Sequence, residues 1–189
     1  TLVIFAGSEL FTGNNMTLMV GSLDKQISWN TTFKLWVICY IGNLLGALLL
    51  SFAYAKSGLA GNGTMGLFIA GAAKAKMNAP LMQLFIRGIL CNMLVCLAVW
   101  TSLRAKEDTA KILLIFWCLF GFIGSGYEHS IANMTVLGVP LFLPQYFEGV
   151  SWYGFIRNLF AVSLGNFIGG AIFIAFAYWL VGRSESKVN

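Results

Sequence analysis

The sequence is poor in charge. Asp, Glu, Lys and Arg make up 10% of its 189 residues, against roughly a quarter in average soluble domains. A soluble enzyme with a large core is disfavoured, because long uncharged runs would have no polar face to show to water. No basic stripe with interleaved aromatics occurs, so the net charge of +5 does not read as nucleic-acid binding. The four cysteines, Cys39, Cys91, Cys96 and Cys118, form no CxxC pair and lie in apolar segments. They read as buried thiols acting as small hydrophobes, with neither a metal site nor a disulfide framework, and no cofactor is expected. The opening strip has no charged n-region and no small-residue cleavage site, so it does not read as a signal peptide. There is a single histidine, His129.

What the chain does have is oil. Hydrophobic residues make up 58%, and the mean hydropathy is +0.79. That balance points to a polytopic membrane protein with little mass outside the bilayer. Residues 35–55, 81–103 and 159–181 are apolar runs long enough to cross it; the middle run carries Arg87 and Asn92. Residues 1–20 and 112–143 are also apolar, but "GSELFTGNNM" interrupts the first and "GSGYEHSIANM" the second. The pattern predicts three continuous helices and two broken ones. Residues 56–75 read as a Gly/Ala-rich loop, and residues 138–152, with Pro140 and Pro144, as another. Trp29, Trp100, Trp152 and Trp179 fall near span ends and fit an interfacial belt. The basic residues sort by side. Lys25, Lys34, Arg104, Lys106, Lys111, Arg183 and Lys187 fall on one side, read as cytoplasmic together with the C-terminus, and Lys56, Lys74, Lys76 and Arg157 on the other.

The two interruptions resemble each other. Each has a Glu, a short polar stretch and Asn-Met, and each is followed downstream by Gly-Asn-x-x-Gly, in "IGNLLGALLL" and "LGNFIGGAIF". Small residues stand at GxxxG spacing, Gly42/Gly46 and Gly165/Gly169. Three spans separate equivalent elements, so the second copy is expected to be inverted across the membrane. The chain reads as one transmembrane domain, 1–189, with residues 1–55 as the remainder of a first repeat and 77–183 as a second. The second copy has a helix before its broken one and the first has none, so a span upstream of Thr1 is expected.

Irregular backbone at membrane depth is tolerated only inside protein or beside a watery cavity. Half-helices beginning near Asn14 and Ser130, both acceptable N-caps, would turn free N–H groups and positive dipole toward the midplane. Inverted repeats would aim both ends at one point, an anion site without a fixed cation. His129, beside Glu128 in a glycine-rich break, is the candidate proton donor to a weak-acid anion. Glu9 and Glu128 read as scaffold needing partners, with Arg87 a candidate for Glu9. Lys74 and Lys76 fit either interfacial snorkelling or a funnel for anions. Leu10, Phe11 and Phe122 fit packing or apolar constrictions.

"GSELFTGN", "KMNAPL", "GILCNMLVCLAVW", "GYEHSIANM" and "GNFIGG", in that order along nearly the whole chain, resemble the formate/nitrite transporter family of formate, nitrite and hydrosulfide channels. The resemblance implies an all-α membrane protein with an aquaporin-like inverted repeat of three-helix units and two broken helices. It implies a homopentamer in the inner (plasma) membrane, each protomer with its own pore. It implies that Thr12 and His129 face each other at the pore centre. Leu10 and Phe11 would form the cytoplasmic constriction, and Phe122 and Val95 the outer one. Lys76 would draw the anion in from the outer vestibule, Asn92 and Asn166 would make polar pore contacts, and Glu128 would brace its loop. "GSELFTGNNM" looks nearer to the nitrite and hydrosulfide branches than to the formate branch, which more often reads Asp-Leu-Phe-Thr-Ser. The expected partners are small monovalent anions, protons and the lipid bilayer. A water- or glycerol-type neutral pore is the alternative, although neither break contains Asn-Pro-Ala. An enzyme built on Glu128 and His129 lacks a metal partner and an activated nucleophile.

Overall fold

The computed structural model describes residues 1–61, 63–143 and 149–185, with the side chains of 184 and 185 excepted. Pro144 and Lys187 lie outside the described residues. Among those described, every regular element is helical, so the protein is all-α. The first interruption separates α1 (Leu2–Ala6) from α2 (Phe11–Leu23). Gly7, at φ 66°, ends α1 in the left-handed conformation that glycine adopts without a Cβ penalty. Ser28 caps α3 (Trp29–Lys56) by accepting from the Thr31 N–H at 3.2 Å. Pro80 opens α5 (Leu81–Arg104). The second interruption separates α6 (Asp108–Gly124) from α7 (Ser130–Leu141), and Gly126 turns it at φ 69°.

Residues expected to form a Gly/Ala-rich loop instead form α4 (Gly63–Asn78). Gly66 and Gly71 lie within it, but its second half, "AAKAKM", supplies alanine, lysine and methionine, all good helix formers. Helix α7 likewise runs through Pro140 to Leu141, further than a loop beginning at Gly138 allowed. Pro140 has no N–H to give the ladder, and the helix ends one residue later, at Leu141.

Helix α8 (Trp152–Phe167) continues through a π-helical segment (Ile168–Phe176) into α9 (Ala177–Glu185). The widened segment begins where the Asn92 side chain donates to the Asn166 carbonyl at 2.6 Å. A side chain inserted at the ladder is a known cause of such a change of winding. At its far end Trp179 donates to Asp24 Oδ1 at 2.7 Å, joining α9 to the end of α2.

Among the described residues, three stretches are long and apolar enough to cross a bilayer: Trp29–Lys56, Leu81–Arg104 and Trp152–Arg183. The surface is correspondingly oily. Leu49, Leu67, Phe68 and Phe160 are each at least 70% exposed, while Thr12, Asn15, Asn92, Asn158 and Asn166 are wholly buried. Apolar outside and polar inside is the distribution that lipid imposes. Helices α5 and α8 meet backbone to backbone. A Cβ on Gly165 or Gly169 would run into the carbonyls of Phe85 or Ile89, and one on Gly88 would stand 2.8 Å from the Val162 carbonyl. Such approach is how small residues join helices without a hydrophobic driving force. A Cβ on Gly42 or Gly46 of α3, by contrast, would meet nothing within 4 Å beyond its own helix.

Candidate functional site

The two breaks are held by the same set of hydrogen bonds. At the first, the Phe11 N–H donates to Asn43 Oδ1 (2.9 Å), and Asn43 Nδ2 donates to the Glu9 carbonyl (3.0 Å). Asn14 Nδ2 donates to Glu9 Oε2 at 2.6 Å. At the second, the Ser130 N–H donates to Asn166 Oδ1 (2.8 Å), and Asn166 Nδ2 donates to the Glu128 carbonyl (2.9 Å). Asn133 Nδ2 donates to Glu128 Oε2, again at 2.6 Å. In each case an asparagine from a continuous helix clasps the extended backbone. It satisfies groups that would otherwise be unpaired at a helix start.

The clasps correct several expectations. Helix α2 begins at Phe11, with Leu10 in the extended N-cap position, not near Asn14. The cap of α7 is His129, not Ser130. The matched asparagines are Asn14 and Asn133, so the shared Asn-Met is offset by one residue. Glu9 pairs with Asn14, whereas Arg87 is exposed and donates to Gln83 Oε1 at 3.4 Å. Glu9 lies at the exposed rim of its break, where an amide suffices as partner.

The clasps differ in one respect. Glu128 is 3% exposed and also receives Lys76 Nζ at 2.9 Å. The Lys76 carbonyl accepts from Asn158 Nδ2 (3.0 Å), and Asn158 Oδ1 accepts from Asn133 (2.9 Å). Lys76, Glu128, Asn133 and Asn158 therefore close a ring that pins α4 to α7 and α8.

Between the breaks, Thr12 and His129 meet. Thr12 Oγ1 lies 3.2 Å from His129 Nε2. His129 Nδ1 accepts from the Ala132 N–H at 3.1 Å, which fixes that nitrogen as the acceptor. The neutral ring therefore carries its proton on Nε2, turned toward Thr12. Thr12 is the second residue of α2 and His129 caps α7, so their contact brings two helix N-termini together. The partial positive charge of each end, about half an elementary unit, converges there.

The ring of Phe122 stacks on His129 at 5.8 Å between centroids. Leu10, Val95, Phe122 and His129 line one cavity of about 140 Å³, with Ile4 and Leu119 among its other walls. The residues expected in two separate constrictions thus share a chamber beside the histidine. Phe11 is not among its walls and packs edge-on against Tyr40 at 4.9 Å. Asn92 and Asn166, expected as pore contacts, bind backbone instead. Asn92 Nδ2 donates to the carbonyls of Thr12 (3.1 Å) and Asn166 (2.6 Å), and Asn166 Nδ2 also donates to that of Gly88 (2.8 Å). Asn43, Asn133 and Asn158 were not singled out as functional from the sequence. A signal existed for one of them: "ELFTGN" and "EHSIAN" both place Asn five residues after Glu.

A family profile described as formate/nitrite transporter matches residues 1–180. The nitrite transporter NirC of Escherichia coli (strain K12) is 43% identical over 179 residues, covering 95% of this chain. The chain spans 66% of that relative's length. The formate channel FocA of Haemophilus influenzae is 34% identical over 92% of this chain and 67% of its own. Among solved structures, an FNT family ion channel superposes with a TM-score of 0.89 at 40% identity, over 95% of this chain and 72% of the other. A pentameric formate channel with formate bound superposes at 0.84 and 32% identity, over 96% and 78%. Sequence and fold agree along nearly the whole described chain, and the protein is a member of the formate/nitrite transporter family.

Proposed function

We propose that the protein is a channel or proton-coupled transporter for small monovalent weak-acid anions, namely hydrosulfide, nitrite or formate. The observation that carries this reading is the Thr12–His129 contact, which joins two helix N-termini at the wall of an apolar chamber. An anion there gains hydrogen-bond donors and positive dipole without a fixed cation to trap it. The apolar walls of Leu10, Val95 and Phe122 oppose passage of a hydrated ion. In the neutral tautomer His129 offers Nε2–H to the anion as a hydrogen bond. Complete transfer requires the imidazolium, with a second proton on Nδ1 in place of the Ala132 bond. The protonated acid then crosses the apolar chamber, and the ring regains its proton from solvent. The Lys76 ammonium, half-buried, answers the Glu128 carboxylate, so the pair adds no net charge and any pull on the anion comes from the ammonium facing the vestibule rather than from the pair as a whole.

The names of the relatives support transport rather than catalysis. The pentameric formate channel supports a homopentamer. The matched clasps support two inverted repeat units, residues 1–55 and 77–183. The charge bias supports a cytoplasmic C-terminus, and the family match supports the inner membrane. Flux of formate, nitrite and sulfide into proteoliposomes carrying the full chain, measured across pH, tests the reading. Water or glycerol flux without anion flux would favour a neutral pore instead.

A further inference from the structure

Directly behind Thr12 lies a buried polar cluster that neither clasp requires. Asn92 Nδ2 uses both protons on the carbonyls of Thr12 and Asn166. Flipping the amide would aim Oδ1 at two acceptors, so Oδ1 must point away and needs a donor. Among the described residues it has no protein partner, and neither amide atom of Asn15 has one. Both residues are wholly buried. Both side chains come close to Gly170 in the π-helical segment, Asn15 through its Cβ and Asn92 through Nδ2. A Cβ on Gly170 would stand 3.0 Å from Asn15 Cβ and 2.9 Å from Cys96 Sγ, and would run into Asn92 Nδ2. Cys96 Sγ in turn lies 3.5 Å from the Thr12 carbonyl. The clasp does not explain a polar side chain here, because the matching position of the second break holds Met134, also wholly buried. Leaving such amides unpaired is costly, and buried groups of this kind are ordinarily satisfied by protein or by an ordered water.

We propose that a buried water accepts from Asn15 Nδ2 and donates to Asn92 Oδ1, and that Asn15 thereby acts as a positioning residue for Thr12. The two donated bonds set the rotation of the Asn92 amide, and the water holds its remaining oxygen and so stiffens that setting. That amide holds the Thr12 carbonyl, and so sets the distance from Thr12 Oγ1 to His129. The positioning half rests on the transport reading above; the water itself does not.

The test uses the full chain in lipid nanodiscs, imaged finely enough to show ordered water. Density within hydrogen-bond reach of both Asn15 and Asn92 is expected. A dry amide-to-amide contact overturns the bridge. In proteoliposomes, N15L, which removes both polar atoms at similar size, should lower nitrite flux by about three- to tenfold, the effect of one lost hydrogen bond. N15T keeps a hydroxyl for the water and should stay within about twofold of the parent. N15L that elutes and transports like the parent overturns the positioning role. Where N15L does not assemble, N15T decides: density beside its hydroxyl with flux retained supports the proposal, and loss of both overturns it. A parent chain that carries no nitrite at all refutes the transport reading and leaves the density test standing.

Discussion

Substituting Asn166→Leu removes the pin of the second break. The two side chains are close in size, so no large cavity opens; what is lost is hydrogen bonding. Asn166 accepts from the Ser130 N–H and donates to the carbonyls of Gly88 and Glu128, all at 2.8–2.9 Å, in a site with no solvent exposure. Orphaning the Ser130 N–H costs about 1–3 kcal/mol and each donated bond about 1, for a total of about 3–5 kcal/mol. For a chain of this size that corresponds to a fall in melting temperature on the order of 10 °C. Thermal unfolding of the purified full chain in detergent, followed by tryptophan fluorescence, reads it directly. Hydrogen exchange adds a local signature, because the Ser130 amide should lose protection while the middle of α3 keeps its own. A variant that melts with the parent and protects Ser130 equally would refute the clasp as the structure's means of holding the break.

Replacing His129 by Gln keeps a hydrogen-bonding side chain but no titrating one; the dependence of anion flux on pH should flatten between about pH 5 and 8, and an unchanged profile rejects the proton step. Lys76→Gln leaves the Glu128 carboxylate to Asn133 alone. Because Lys76 is 25% exposed at its side chain and Glu128 only 4%, the loss should be about 1–3 kcal/mol, below that of a fully buried pair. The double variant K76Q/E128Q should recover part of this in a denaturation cycle; strict additivity would deny the coupling. Gly165→Ala places a methyl against the Phe85 carbonyl and should destabilise by about 1–3 kcal/mol, whereas Gly121→Ala, which meets Leu94 at an ordinary 3.6 Å, should not. Equal melting of the two variants would contradict the backbone contact of α5 and α8.

The sequence carried the framework because lipid enforces it. Continuous apolar runs yielded the three long helices, and glycine with a carboxylate in each interrupted run marked the two breaks. Helix α4 is hard to read from the sequence because its glycines and alanines signal a loop, whereas its alanines and lysines favour helix and its packing against α7 and α8 adds to that. The pairing of Glu128 with Lys76 depends on bringing α4 back over α7, 52 residues away in sequence, which no local pattern encodes. Glu9 was matched to Arg87 on charge alone, yet an asparagine five residues on the same chain was nearer. His129 stands out as the lone histidine in a glycine-rich break, but Thr12 and its pairing with His129 come from the family resemblance rather than from spacing. Their contact depends on two chain breaks meeting, and the matched clasps supply the geometry that the bare sequence could only imply.

The π-helical segment at Ile168–Phe176 acts on everything after it as a phase shift. Wider winding takes up more chain per turn, and in an α-helix one residue of offset turns all later side chains by about 100°. In the present phase Trp179 reaches Asp24. Deleting one residue inside the segment would leave a helix just as apolar and nearly as long. Yet it would point the tryptophan toward a different neighbour and uncouple α9 from the end of α2. By the same logic, a one-residue deletion upstream in α8 does worse, since it also rotates Asn166 away from Ser130. Length tolerance along this span is thus set by angle rather than by bilayer thickness.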